Sequence, residues 1–387
     1  MHKASEKNLL HYIIAFMVEA IHRSTRIEFS KSSLAYNVQY TKQVSGAKTL
    51  WLAVKSNAYG HGLLQVSKIA RECGVDGLAV SVLDEGIAIR QAGIDDFILI
   101  LGPIDVKYAP IASKYHFLTT VSSLDWLKSA DKILGKEKLS VNLAVDTGMN
   151  RIGVRSKKDL KDEIEFLQEH SDHFSYDGIF THFASSDNPD DHYFQRQKNR
   201  WYELIDGLIM PRYVHVMNSG AAMYHSKELP GCNSIARVGT VVYGVEPSEG
   251  VLGPIDKLKP VFELKSALTF VKKIPAGEGI SYGSKFVTSR DTWIGTLPIG
   301  YGDGWLAEYQ DFQLLIDGQK CRQVGQIAMD QMMVALPHEY PIGTEVTLIG
   351  KSGKYENTLY DLHKHSGVPP WKITVAFSDR LKRMVVD

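Results

Sequence analysis

From residue 49 to residue 243, short apolar runs rich in Val, Ile and Leu alternate with stretches whose apolar positions recur every three to four residues. Eight runs read as strands, at 49–54, 77–81, 97–101, 117–121, 139–145, 176–180, 213–217 and 235–243. The segments between them, such as 63–73 and 191–208, read as helices. Strand–helix units repeated eight times close naturally into a parallel (β/α)8 barrel, and a doubly wound open sheet is the other arrangement that this alternation permits. After Gly244 the texture changes. Residues 245–259 carry Pro247, Gly250, Gly253 and Pro254, a linker-like mix. Strand-like runs then follow at 262–271, 291–297, 312–316, 323–327, 332–336 and 345–349, without helices of useful length between them. Asp317-Gly318 is a good hairpin turn. The expected fold class is therefore α/β, with an N-terminal extension at 1–22, an eight-stranded parallel (β/α)8 barrel at 23–250 and a mainly antiparallel β domain at 251–387.

Composition narrows the function. With 44 basic and 44 acidic side chains in 387 residues, no net field attracts nucleic acid or a membrane surface, so neither is an expected partner. Cys73, Cys232 and Cys321 are an odd number at spacings that match neither a disulfide framework nor a zinc site, which fits a reducing cytoplasm. The apolar run 9–18 is interrupted by His11 and followed by Glu19 and His22, too short to span a bilayer and a poor signal peptide. Residues 1–22 read instead as an amphipathic helical extension, or as a start set upstream of Met17. Asp84-Glu85, Asp95-Asp96 and Asp190-Asp191 read as solvated helix starts, because no His or third acid lies at ligand spacing; no metal is expected.

The strongest local signal is Leu50-Trp51-Leu52-Ala53-Val54-Lys55-Ser56-Asn57-Ala58-Tyr59-Gly60-His61-Gly62. An apolar strand delivers Lys55 at its C-terminal end, the face on which barrel enzymes place reacting groups. An isolated lysine there could simply snorkel to solvent. The stretch, however, resembles the A-V-K-x-N-A-Y-G-H-G signature of the alanine racemase family, and further family motifs follow in order. Asp146-Thr147-Gly148-Met149-Asn150-Arg151-Ile152-Gly153 resembles D-T-G-M-x-R-x-G; Thr181-His182-Phe183-Ala184, Asn218-Ser219-Gly220-Ala221 and Ala236-Arg237-Val238-Gly239 lie at or on later strands. In the second half, Ser281-Tyr282-Gly283, Gly300-Tyr301-Gly302-Asp303-Gly304 and Met329-Asp330-Gln331 resemble S-Y-G, G-Y-x-D-G and M-D-Q. The likeness runs over roughly residues 24–383.

The resemblance implies a pyridoxal 5'-phosphate-dependent racemase that interconverts L- and D-alanine and so supplies D-alanine for peptidoglycan. Lys55 would carry the cofactor as a Schiff base and act as one base, and Tyr282 would be the other. Racemisation through a planar intermediate wants a base on each face, and a tyrosine, ordinarily titrating near about 10, needs a cationic or hydrogen-bonded neighbour. His182 joined to Arg237 is the candidate relay. The phosphate would be held by hydroxyls and backbone N–H groups at Tyr59, Ser219, Gly239 and Thr240, with Asn218 also among the cofactor-binding residues. Arg237 would face the ring nitrogen and, because guanidinium keeps its proton, leave that nitrogen unprotonated. Arg151 would bind the substrate carboxylate and the cofactor phenolate. Met329 would line the substrate site, with Tyr301 and Asp330 supporting it, delivered with Tyr282 across the interface of a homodimer whose active site is shared between subunits.

Bland alternatives stand beside these roles. His182 could be a satisfied core histidine, Tyr282 a turn tyrosine, Met329 simple core, and His61 as readily structural as functional. Two positions depart from the family pattern. Many members carry a carbamylated lysine where this chain has Ala144, so Arg151 needs another counter-anion: a bound chloride, Asn142 with a water, or a carboxylate from elsewhere. Asp379 stands where some members offer the phosphate a tyrosine. A serine or broad-spectrum racemase is the alternative among racemases. A non-catalytic pyridoxal-phosphate carrier, or a decarboxylase of basic amino acids, would lack the S-Y-G-bearing domain or bring a reactive cysteine motif.

Overall fold

The computed structural model describes residues 18–136 and 138–387. Most of the extension expected at 1–22 lies outside them. Contacts divide the chain into two compact units, one of residues 31–261 and one of the residues up to Ser30 together with 262–387.

The first unit is the expected barrel. Its strands are Thr49–Ala53, Gly77–Val80, Ile98–Ile100, Leu118–Val121, Leu139–Ala144, Phe174–Phe180, Tyr213–His215 and Ile235–Val238. Each pairs in parallel with its neighbour, and Ile235–Val238 returns to pair with Thr49–Ala53. A parallel bridge between Met217 and Ala236 completes the ring. Buried on both faces, these strands are the near-continuous apolar runs of the sequence. Inside, Trp51 packs with Ala79, Leu99, Leu118 and Ile235. The last apolar run is strand only as far as Val238; from Gly239 the backbone turns, with the Val242 N–H donating to the Gly239 carbonyl. Apolar periodicity cannot distinguish a buried turn from a buried strand, which is why the run reads as strand to 243.

The second unit is a mostly antiparallel sheet in the order Phe270–Ile274, Thr292–Leu297, Met332–Leu336, Gln319–Val324, Gln313–Ile316, Glu345–Ser352, Phe262–Ala267, Arg26–Ser30, Lys382–Val386. Asp317 and Gly318 take φ of 47° and 67°, the left-handed pair that a two-residue hairpin requires. Arg26–Ser30 belongs here and not to the barrel. Ile27 and Phe29 face inward while Arg26 and Glu28 face out, a period-two pattern that pairs antiparallel with Phe262–Ala267, and Glu28 is bridged by Lys265. Two helices, Leu359–Ser366 and Pro370–Ala376, were not anticipated, although the Thr358/Asp361 capping box announces the first. Among the described residues no helix is long and apolar enough to cross a membrane.

One buried carboxyl in the barrel unit gives a stability prediction. Glu163, on the helix Lys157–Glu169, is fully buried, and neither its carboxylate oxygens nor the nearby Tyr176 hydroxyl has a hydrogen-bond partner among the described residues. Burial, reinforced by Asp159, pushes its carboxyl up to about 8. An unfolded glutamate releases its proton near about 4.3, so folding takes up a proton here and stability falls as pH rises from that value towards 8. Glu163→Gln is therefore expected to raise the melting temperature relative to the parent by an amount that grows between pH 5 and pH 8; a pH-independent difference would refute the assignment.

Candidate active site

The strand Thr49–Ala53 hands over to an unusual turn. Ser56, Asn57, Ala58 and Tyr59 have φ of 53°, 53°, 52° and 53°, four consecutive left-handed residues, none of them glycine. L-residues visit this region singly, at roughly 1–2 kcal/mol each. The turn persists because its surroundings over-determine it. The Ala58 N–H donates to the Val54 carbonyl at 2.8 Å and the Gly62 N–H to the Asn57 carbonyl at 2.9 Å. Asn57 Oδ1 accepts from the Leu63 N–H, and Glu85 Oε1 from the Ser56 N–H at 2.7 Å. His61 closes the turn: it is buried, its Nδ1 lies 3.0 Å from the Ala58 and Tyr59 carbonyls, and its ring stacks on Tyr243. Of the two readings left open for His61, this geometry gives the structural one.

Lys55 opens onto a cavity of about 270 Å³ lined also by Gly102, Arg151, Phe180, His182 and Arg237. Three cations thus converge, and among the described residues Arg151 meets no carboxylate. Burial lowers the Lys55 ammonium below its ordinary range, and Arg151 and Arg237 lower it further. Arg237 is buried and drawn down to about 10, first by desolvation and then by Arg151, which still leaves it protonated at neutral pH. Its Nη2 donates to His182 Nδ1 at 3.1 Å and its Nη1 to His215 Nδ1 at 2.6 Å. Both imidazoles are held well below their ordinary pKa by burial and by Arg237, so both are neutral acceptors. His215 was missed in the sequence, where it sits inside an apolar run with no motif around it.

Beside the cavity, Tyr59 is wedged against the backbone of Gly239. A Cβ on that glycine would lie 2.5 Å from the Tyr59 hydroxyl, so only glycine fits. The Gly239 N–H donates to Ser219 Oγ at 3.2 Å, and Thr240 follows half-buried at the start of the turn. Hydroxyls and a turning backbone therefore converge as a cradle for an anion. Asn218 serves its own turn: Oδ1 accepts from Ser186 Oγ and the Ala221 N–H, and Nδ2 donates to the Phe183 carbonyl.

The second unit gathers the remaining residues. Tyr301 and Met329 are joined through backbone bonds, Tyr301 N–H to Ala328 and Gly302 N–H to Met329, and Ser281 Oγ donates to the Gln326 carbonyl of the same loop. Tyr282, Tyr301 and Met329 leave their side chains in solvent, Tyr282 at 68% exposure, which removes the core reading of Met329, while Tyr282 opens a short 3-10 turn, Tyr282–Ser284. Asp330 pairs with Arg380 at 2.8 Å.

Residues 30–247 match the alanine racemase N-terminal domain and residues 261–385 the C-terminal domain. The chain belongs to the alanine racemase family. An alanine racemase of Ligilactobacillus salivarius is 41% identical over 95% of this chain and 100% of its own length. Among solved structures, alanine racemase from Oenococcus oeni is 97% identical, covering 95% of this chain and 100% of that one with a TM-score of 0.92. A histidine racemase from Leuconostoc mesenteroides is 30% identical, covers 95% and 100%, and also superposes with a TM-score of 0.92.

The two departures from the family pattern have local settings. Ala144 is buried, and the loop carrying Arg151 returns beside it, the Val154 N–H donating to its carbonyl at 3.0 Å. Asn142 does not attend Arg151: it lies in the barrel core, bonded to His215 and Thr120. Asp379 pairs with Arg383 at 3.2 Å.

Proposed function

We propose that this chain interconverts L- and D-alanine with pyridoxal 5'-phosphate attached at Lys55. What supports the reading is the convergence of a desolvated lysine and two guanidiniums on one cavity beside the Tyr59–Gly239 cradle, together with family likeness over almost the whole chain. The residues fit the cofactor: an amine of reduced basicity to hold its aldehyde carbon, hydroxyls at Tyr59, Ser219 and Thr240 beside the Gly239 backbone for its phosphate, Ser219 being fixed by the Gly239 N–H, and the donor-only Arg237 for its ring nitrogen. When bound, the cofactor supplies an electron sink that acidifies the Cα–H bond of an amino acid. Arg151, which lines the same cavity while Arg155 pairs with Asp146, takes the substrate carboxylate. The Lys55 amine moves the Cα proton on one face and the Tyr282 phenol on the other.

The protein works as a homodimer in this reading, the partner subunit lending Tyr282, Tyr301 and Met329, whose side chains their own unit leaves exposed. Three buried cysteines, none of them in a disulfide, suit a cytoplasmic enzyme, and the product would serve peptidoglycan synthesis. Tyr282→Phe tests the assignment of faces. Deuterium from solvent should still enter Cα of one alanine enantiomer through Lys55 while exchange of the other falls by about 100-fold or more. Equal loss from both, with cofactor bound, would rule out the two-base scheme.

With Ala144 buried where a carbamylated lysine would stand, and with Arg151 exposed in its own unit, a chloride is the anion this reading sets beside the Arg151 guanidinium. Activity is expected to rise with chloride at constant ionic strength and to ignore bicarbonate. Indifference to halide would remove the chloride and leave the racemase reading standing. The reading as a whole is tested by chiral analysis of the product formed from L-alanine, with L-serine, L-lysine and L-histidine as competing substrates.

A further inference from the structure

Arg237 donates at both ends, and the identity of its acceptors is set deeper in the barrel. A guanidinium has no lone pair to offer, so His215 must present an unprotonated Nδ1 to Arg237 Nη1 at 2.6 Å and carry its proton on Nε2. That Nε2 lies 2.9 Å from Asn142 Oδ1, which can only accept. The amide of Asn142 is oriented in turn by its Nδ2, which donates to Thr120 Oγ1 at 3.3 Å. All three residues are fully buried, and the His215 ring is fixed between Trp51 and Phe180, with centroids at 4.8 and 5.2 Å. Even the backbone is shaped to admit the amide. The pairing of Leu139–Ala144 with Phe174–Phe180 shifts register at Val141/Asn142, which sets Gly178 opposite Asn142. A Cβ at Gly178 would lie 2.5 Å from Asn142 Oδ1.

We propose that Asn142 is a positioning residue of the active site, whose side-chain carbonyl locks His215 as the Nε2-protonated tautomer and thereby keeps Arg237 aimed as a donor at the cofactor ring. Its bearing on the cofactor rests on the function proposed above; the tautomer lock does not. Arg237 is the charge that faces His215, and Trp51 and Phe180 enclose the rest of the ring. In Asn142→Asp a carboxylate would meet Nε2 and favour the imidazolium, placing a second proton on Nδ1 against the Arg237 donor.

The experiment is imidazole 15N spectroscopy of the full chain labelled at histidine, with and without pyridoxal phosphate, His215 being assigned by its loss in His215→Gln. The parent is expected to show His215 as the neutral Nε2–H form from pH 6 to pH 9 in both states. Asn142→Asp is expected to bring a protonated His215 into that range, to shift the absorption of the bound cofactor, and to weaken pyridoxal phosphate binding by about tenfold, the worth of one charge-assisted hydrogen bond. An Nδ1–H or protonated His215 in the parent overturns the proposal, as does an unchanged His215 spectrum in Asn142→Asp. If that variant fails to fold, the parent spectrum alone decides. Absence of racemase activity in a parent that shows the predicted tautomer would count against the function and not against the lock.

Discussion

Lys55→Ala will abolish racemisation, by at least about 10⁴-fold, and with it the borohydride-stable attachment of pyridoxal phosphate to the chain. Both losses follow from one side chain. Among the described residues Lys55 is the one lysine that lines this cavity, and its basicity is reduced by burial and by Arg151 and Arg237, so its lone pair is available for both attack and proton transfer. The effects separate in time. Added methylamine should restore some exchange at Cα by replacing the proton carrier, but it cannot restore covalent attachment to the chain. Full turnover in Lys55→Ala, measured by chiral chromatography from either enantiomer, would remove the basis of the functional assignment.

Gly239→Ala will cost cofactor affinity by about 100-fold and stability by about 1–3 kcal/mol, although it adds a single methyl group. The new Cβ would stand 2.5 Å from the Tyr59 hydroxyl and 2.7 Å from the ring carbon that bears it. Tyr59 has nowhere to retreat: its ring lies against Tyr243, at a centroid distance of 5.2 Å, and its backbone ends the left-handed turn. Either the hydroxyl is expelled from the cradle or the turn that presents Lys55 is displaced. Fluorescence titration of pyridoxal phosphate and thermal melts measure the two costs separately. Tyr59→Phe combined with Gly239→Ala should recover part of the stability and none of the affinity; unimpaired affinity in the single variant would show that the cradle is not where the phosphate sits.

The barrel was legible because its strands are buried on both faces and so appear as uninterrupted apolar runs. The lining of its cavity was legible where a polar side chain follows such a run, as with Lys55, Arg151 and His182. Three features were not. The left-handed turn at Ser56–Tyr59 holds one residue that favours positive φ, Asn57, and the other three take it only because contacts from Glu85, His61 and Tyr243 impose it. His215 and Asn142 lie within apolar strands, and a polar residue paired to another far along the chain leaves no local pattern. Arg26–Ser30 is too short to declare its partner; its alternation marks it as a half-buried strand, but not which sheet receives it.

The placement of Arg26–Ser30 also bears on synthesis. This strand lies between Phe262–Ala267 and Lys382–Val386, paired antiparallel with one and parallel with the other. On the ribosome it emerges before the entire barrel, and both of its neighbours emerge after it. The barrel, whose strands run in unbroken succession from Thr49 to Val238, can close while translation continues. The β unit must instead wait for Lys382–Val386, which emerge after the whole barrel, holding one exposed strand edge in readiness until then. Chains halted before Lys382 should thus carry a folded barrel beside an unfinished sheet, and a chaperone working on this protein would find its binding surface there.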